Sequence, residues 1–178
     1  MRNKTLFVSL LLAVVLLGCR TEVITETELT VEQVQLIEPH LVANVGVAAF
    51  GGVVFCPYQA MSVEQTTSTT TVAYLWVLCQ EYYQGPSGLE KGSGVSLPVA
   101  LTLQRSESGV VVSKHQVPGD GALYEKDVKM IFPQRVWPQI FATGEEGTHA
   151  YNARAMALEA EAEGKALAHF ASAPVPAP

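Results

Sequence analysis

The chain has 178 residues and a formal net charge of −6, and 48% of its residues are hydrophobic. This apolar content supports one sizeable core and excludes a disordered chain. Lys and Arg form no cluster along the sequence. Nucleic acid is therefore not expected as a partner, because phosphate contacts need grouped basic side chains.

The start of the chain has the order of an export signal. Arg2 and Lys4 precede an apolar run over residues 6–17 (LFVSLLLAVVLL). This run is shorter than the roughly 20 residues of a membrane-spanning helix, and it fits the apolar part of a signal peptide. Residues 1–18 are therefore predicted to be a signal peptide.

The end of this run carries a specific motif, since Leu16-Leu17-Gly18-Cys19 resembles the lipobox of bacterial lipoproteins. The resemblance implies that the Cys19 thiol receives a diacylglyceryl group, that the bond after Gly18 is cut, and that Cys19 becomes the new N-terminus. The lipid bilayer is then a partner through acylated Cys19, and the protein lies on the cell membrane or outer membrane, facing the periplasm or the exterior. The alternative is an ordinary cleaved signal or an N-terminal anchor helix, with Cys19 incidental.

A tether and a helix are predicted next. Residues 20–29 are polar and β-branched without a helical period, so residues 19–29 are predicted to form the lipidated tether. Thr30 and Gln33 fit a capping box. The pattern then predicts a helix over residues 31–44 that covers a sheet, weakened at Pro39. The apolar positions at helical spacing are Val34, Ile37, Leu41 and Val45.

The middle of the chain is rich in strand signals. Residues 45–63 are β-like, and Gly51-Gly52 is either a hairpin turn or a bend within one strand. Residues 72–83 (VAYLWVLCQEYY) are almost wholly apolar, which predicts a central strand covered on both faces. Residues 95–104 and 109–117 flank a turn signal and predict a hairpin.

Two cysteines fall in these predicted strands. An antiparallel pairing that places Cys56 opposite Cys79 centres its turn between Thr67 and Ser68, inside a polar stretch. Directly opposed residues approach closely enough for a disulfide, and an exported protein meets an oxidising compartment. The pairing predicts a structural disulfide, and two buried free thiols are the alternative.

The last part of the chain predicts helices and a tail. Asp120 is a plausible N-cap before a helix that Pro133 ends. Residues 142–171 are rich in Ala and Glu and predict a helical extension with one i,i+4 ion pair, Glu161 to Lys165. The alternating prolines of residues 172–178 predict a disordered tail.

The segment 118–133 (PGDGALYEKDVKMIFP) carries a second likeness. With the strands before it, over residues 72–133, it resembles the ending of a group of exported bacterial domains. The residues that carry the likeness are Pro118, Asp120, Gly121, Tyr124, Phe132 and Pro133. The resemblance implies export and carries no activity with it.

No chemistry-bearing pattern stands out. The histidines do not have the spacing of metal ligands, so neither a metal site nor a cofactor is predicted. They are His40, His115, His149 and His169. No catalytic residues are predicted, and Tyr82, Tyr83, Trp137 and Phe141 are candidates for the rim of a binding surface or for core packing.

The sequence thus predicts an α+β domain over residues 30–141. In it an N-terminal helix packs on an antiparallel sheet of four or five strands, in the manner of cystatin-like or NTF2-like folds. The predicted function is a membrane-anchored, non-catalytic binding or protein-interaction module of the cell envelope. Its partner is an envelope protein or a small ligand. The alternatives are a small envelope hydrolase using His115 or Asp120, or a structural envelope protein that docks partners through its acidic C-terminal helix.

Overall fold

The computed structural model describes residues 25–172. The predicted signal peptide, the lipobox with Gly18 and Cys19, and residues 173–178 of the predicted tail lie outside the described residues.

The described chain is an α+β structure built on one antiparallel sheet of six strands, rather than the predicted four or five. The strands are β1 (Thr25–Glu26), β2 (Val53–Phe55), β3 (Tyr58–Gln65), β4 (Thr70–Gly85), β5 (Gly88–Ser106) and β6 (Gly109–Gln116). The helices are α1 (Val31–Asn44), α2 (Tyr124–Ile131), α3 (Trp137–Phe141) and α4 (Gly144–Ser172). The strand order is β1-β3-β4-β5-β6, and β2 also pairs with β4.

Helix α1 begins at the predicted capping box. The Thr30 side chain accepts from the Gln33 backbone N–H, and the Gln33 side chain accepts from the Thr30 backbone N–H. The prediction that a helix is the N-terminal element is wrong, however, because β1 precedes α1. Thr25 and Glu26, inside the segment predicted as a tether, pair with the end of β3. The β-branched threonines of this segment favour an edge strand over an unpaired chain.

The predicted β-like segment 45–63 is only partly a strand. Residues 46–52 form a loop between α1 and β2, and neither predicted role for Gly51-Gly52 is found. Gly51 has a φ of 74°, in the left-handed region that glycine tolerates best. A Cβ on Gly52 would lie 2.3 Å from the Tyr82 carbonyl oxygen, so the loop needs glycine to approach β4.

Strand β4 is central and covered on both faces, as its apolar run predicts. One face packs against α1 in a core that includes Leu75, Val77 and Ile37. The opposite face packs against α2, α3 and α4, where Trp76 meets Leu158. Because side chains alternate along a strand, odd-numbered positions of β4 face α1 and even-numbered positions face α4.

The Cys56–Cys79 disulfide is present, with a Cα–Cα distance of 4.1 Å. The predicted register also holds at Tyr58, which pairs with Val77. A bulge between Ala60 and Ser62 then shifts the pairing by one residue. The strand end therefore pairs Gln65 with Thr71, and the turn lies half a residue later than the sequence indicates.

The C-terminal elements complete the second face of the sheet. A 3-10 turn over Gly121–Leu123 precedes α2, and the Asp120 side chain makes no capping hydrogen bond. Asp120 is therefore not the side-chain cap that the sequence predicts. Instead Asp127, one turn into the helix, accepts from the backbone N–H of Gly119 at 2.9 Å.

Helix α4 packs against the sheet instead of projecting from it. The buried residues of α4 recur every four positions: Arg154, Leu158, Ala162 and Ala166. The small alanines allow a close approach to Tyr82. The predicted Glu161–Lys165 pair forms at 2.8 Å, and Lys165 also reaches Glu38 of α1 at 2.7 Å. Within residues 25–172, no helix combines the length and apolar character that a membrane span requires.

Candidate functional site

A cleft of about 360 Å³ opens where the α3–α4 connection passes the edge of β3. Its lining combines polar and apolar residues: Gln59, Pro138, Gln139, Thr143, Glu146, Gly147, Ala150, Tyr151 and Arg154. Helix α4 supplies the larger share of these residues, because Gly147, Ala150, Tyr151 and Arg154 lie on neighbouring turns of one helix face.

Arg154 is the unusual residue of this cleft, because its side chain is 8% exposed. Its guanidinium carbon lies 4.3 Å from the ring centroid of Trp76 and 5.5 Å from that of Tyr151. One terminal nitrogen donates to the Gln139 carbonyl oxygen at 2.9 Å. Among the described residues, Nε of Arg154 has no hydrogen-bond partner.

The charge of Arg154 is balanced by ring faces rather than by a carboxylate. Among residues 25–172, the ion pairs of the chain involve other basic side chains. Burial lowers the pKa of Arg154, and the nearby phenols of Tyr151 and Tyr124 act in the opposite direction. An arginine remains protonated under such a shift, so the cleft contains a buried cation.

A carboxylate stands at the other end of the cleft. Glu146 precedes Arg154 by two helical turns, which is about 12 Å along the helix axis. Its position is exposed. The cleft therefore offers a positive end, buried among aromatic rings, and a negative end at the solvent.

A second depression of about 400 Å³ adjoins the first. The two share Gln59, Ala150 and Arg154, so together they form a groove between β3 and α4. Beyond Arg154 the groove is lined by Tyr58, by the face of α4 around Leu158, and by Glu161, whose charge is paired with Lys165. Burial raises the pKa of Tyr58, with Glu38 acting in the same direction.

A buried carboxylate, Glu81, lies on the α1 side of the sheet. Its side chain is fully buried and continues the odd-numbered row of β4 beyond the end of α1. The loop that follows α1 closes over it and donates from the backbone N–H groups of Ala49, Phe50 and Gly52, at 3.0, 2.9 and 2.7 Å. Ser93 of β5 donates from both its backbone N–H and its hydroxyl, at 3.1 and 2.7 Å.

These donors determine the ionisation of Glu81. Burial by itself raises the pKa of Glu81, but the Ser93 hydroxyl and the backbone N–H groups outweigh burial and lower the pKa to about 2. The Glu81 carboxylate oxygens accept hydrogen bonds from the loop and from Ser93, so the role of Glu81 is structural. The loop exposes Phe50 to solvent. Phe50 is 63% exposed and stacks on Tyr83 with ring centroids 5.7 Å apart.

A second buried carboxylate, Glu64, pairs with Arg135 near the start of α3. The Arg135 Nε also lies 3.7 Å from Glu26 of β1, and an Arg135 terminal nitrogen lies 3.3 Å from the Ser62 hydroxyl. This ion pair ties the α2–α3 connection to the edge strands, and its charges are matched within the protein.

The predicted site residues are dispersed over the fold. His115 meets His40 at the surface, His149 lies 3.8 Å from Glu145, and His169 packs edge-on against Phe55. The aromatic candidates are divided as well. Tyr82, Trp137 and Phe141 pack in the cores, whereas Tyr83 packs beside the exposed Phe50.

Neither Arg154 nor Glu81 is among the residues predicted from the sequence, although each leaves a signal. Arg154 begins the i, i+4 row that continues through Leu158, Ala162 and Ala166, so helical spacing alone places it on the buried face. Glu81 has the parity of the buried positions Val77 and Cys79 in a strand covered on both faces. In each case a charged residue falls on a buried row.

Comparison with known proteins found no matching family model, no matching curated protein and no matching solved structure.

Proposed function

We propose that the protein is a lipid-anchored, non-catalytic binding module of the bacterial cell envelope whose ligand lies in the cleft at Arg154. The observation that carries the ligand site is the buried Arg154 guanidinium, with an unpartnered Nε among the described residues and no carboxylate paired to it. Burying a charge is costly unless it is paired, so a cleft that keeps one is suited to a negatively charged ligand group.

The anchor part of the proposal rests on the sequence. A basic start, an apolar run and the Leu-Leu-Gly-Cys motif support acylation of Cys19. Removal of residues 1–18 takes away Arg2 and Lys4 and no acidic residue, so the mature chain is strongly acidic. Acyl chains, rather than basic side chains, then hold it to the membrane, at about 0.8 kcal/mol for each buried CH₂ group.

The opposite charges at the two ends of the cleft favour a short zwitterionic peptide as the ligand. The Arg154 guanidinium matches a carboxylate, and Glu146 at the other end matches an ammonium group. The roughly 12 Å between these helix positions suits about three extended residues, each about 3.3–3.6 Å long. Gln59 and Gln139 also line the cleft, and glutamine side-chain amides can hydrogen-bond to peptide groups.

We also propose that the architecture belongs with the cystatin-like or NTF2-like folds. The support for this is the packing of helix α1 against one face of an antiparallel sheet.

Calorimetric titration of the purified protein tests the ligand. The probes are acetate, L-alanine, L-alanyl-L-alanine, tri-L-alanine and inorganic phosphate. We expect saturable binding of the tripeptide and at least 10-fold weaker binding to the Arg154→Gln variant. Arg105→Gln, which removes an exposed guanidinium paired with Glu32, is the matched control and leaves affinity unchanged.

The variant Glu146→Gln is expected to fold like the parent protein, because Glu146 is an exposed position. It therefore tests ligand binding without a change in stability. It is expected to weaken peptide binding and to leave acetate binding unchanged or stronger, since the negative end of the cleft is removed. Binding of no probe, or equal binding by Arg154→Gln and the parent protein, contradicts the ligand proposal.

Membrane fractionation with labelled fatty acid tests the anchor. Cys19→Ala is expected to abolish acylation and either to leave the precursor uncut or to release the protein from the membrane fraction. Cys19→Ala protein that is still matured and lipid-labelled contradicts the anchor, independently of the ligand.

A further inference from the structure

Two histidines that are remote in sequence meet at the surface. His40 lies on the last turns of α1 and His115 lies near the end of β6. Nε2 of His40 is 3.3 Å from Nδ1 of His115, and the rings meet at an interplanar angle of 67°.

A β-bulge in β6 brings the two rings together. Leu103 pairs with Val112, whereas Thr102 pairs with Lys114, so Ser113 is an extra residue in the ladder. Beyond the bulge, His115 pairs with Leu101.

The bulge decides which way His115 faces. Leu101 is buried in the core beneath α1, and directly paired residues share a face of the sheet, so His115 faces α1. Without the extra residue His115 would face away, since a shift of one position reverses every side chain. Lys114, the neighbouring cation, pairs with Thr102 and falls on the opposite face. Bulges commonly re-aim a side chain in this way.

We propose that His40 and His115 form a binding site for a divalent transition metal, with Zn²⁺ as the best match. Zinc binds imidazole nitrogens at about 2.0–2.1 Å in tetrahedral geometry, which places two ligand nitrogens about 3.3 Å apart. The two facing nitrogens already have this separation. The exposed residue Asn44 lies beside His40, with its amide nitrogen 2.8 Å from the His40 carbonyl oxygen and 3.4 Å from Nδ1.

Metal binding replaces a shared proton. In the metal-free pair, one facing nitrogen carries a proton and the other accepts it. A bound metal needs both lone pairs, so that proton moves to the far nitrogen of the same ring, and both rings stay neutral.

The site is open rather than closed. Among the described residues, no group of three or more His, Cys, Asp or Glu side chains converges on one point. Two coordination positions are then left for water or for a ligand from outside the chain. Structural zinc sites have four protein ligands, so a two-histidine site is not of that kind. This inference is independent of the Arg154 cleft, which lies on the other face of the sheet.

Calorimetric titration of the EDTA-treated, purified protein with ZnCl₂ near neutral pH tests the site. We expect one equivalent to bind, and His40→Ala and His115→Ala each to weaken binding by about 10-fold or more. His149→Ala is the matched control, because His149 is an exposed histidine on α4 with a neighbouring carboxylate. It is expected to leave zinc affinity unchanged.

Nitrogen NMR of the histidine rings gives a second readout that does not depend on a variant folding. Zinc is expected to shift Nε2 of His40 and Nδ1 of His115 together. Absence of binding at millimolar zinc, loss of binding in His149→Ala alone, or a shift of only one of the two rings overturns the proposal.

Discussion

The hydroxyl oxygen of Ser93 lies 2.7 Å from Oε2 of the buried Glu81 carboxylate. Glu81 lies on β4 and Ser93 on β5, at the bulge that follows Gln80. The same carboxylate holds the loop after α1, so one buried charge joins a helix end, a central strand and its neighbour. The fold thereby fixes the loop that exposes Phe50.

Replacing Glu81 with Gln is expected to destabilise the fold and loosen this loop. The amide keeps one acceptor oxygen and turns its other end into a donor facing N–H groups, so buried donors lose their partners. We expect a fall in Tm of roughly 5 °C or more. Hydrogen exchange at Ala49, Phe50 and Gly52 is expected to accelerate. Glu107→Gln, at an exposed turn, is the control, and an equal Tm for both variants contradicts the clamp role.

The acid stability of the protein is also expected to depend on Glu81. Its pKa is about 2 in the folded protein and 4.5 ordinarily, so the folded state favours the ionised form. This stabilisation is complete above pH 4.5 and is lost as the pH falls towards 2. Urea unfolding measured across this range is expected to show a steeper loss in the parent protein than in Glu81→Gln. Parallel curves for the two proteins count against this assignment.

The disulfide is expected to contribute substantially to stability. Cys56 and Cys79 are separated by 23 positions, and closing a loop of this length is worth about 3 kcal/mol. The double variant Cys56→Ala/Cys79→Ala is therefore expected to lose about 3 kcal/mol in urea unfolding. Parent protein unfolded under reducing conditions is the comparison and is expected to show a similar loss. A loss below about 1 kcal/mol contradicts the expectation.

Helix α4 is expected to be part of the cooperative fold. Leu158 is 4% exposed against Trp76, so Leu158→Ala is expected to cost about 2–5 kcal/mol. Leu167 is on the same helix but 55% exposed, and Leu167→Ala is expected to stay within about 0.5 kcal/mol of the parent. If Leu158→Ala and Leu167→Ala both change the free energy of unfolding by equally small amounts, α4 is not docked on the sheet. Deleting residues 142–178 is consequently unsuitable for testing partner docking, because it removes core residues.

Local patterns predicted much of the fold. The capping box at Thr30 and the alternation of side chains along β4 each involve residues that are close in sequence. Both predictions are confirmed by the structure. The Cys56–Cys79 pairing was also predictable, because one register matches both the polar turn and the apolar faces.

Long-range contacts account for what the sequence could not predict. The docking of α4 depends on the close approach of Ala162 to the sheet, which composition alone does not show. The meeting of His40 and His115 depends on an extra residue, Ser113, in a strand that otherwise alternates regularly. Local spacing places Glu81 and Arg154 on buried faces, but their hydrogen-bond partners come from remote segments and could not be predicted.

Backbone-amide NMR during titration of the protein with tri-L-alanine tests whether the Arg154 cleft binds a short peptide. The proposed binding site predicts saturable shifts confined to the cleft, at Gln59, Gln139, Tyr151 and Arg154, while amides around Arg105 and Glu81 stay unchanged. Shifts that grow linearly with peptide concentration, or that saturate only at residues outside the cleft, would contradict it.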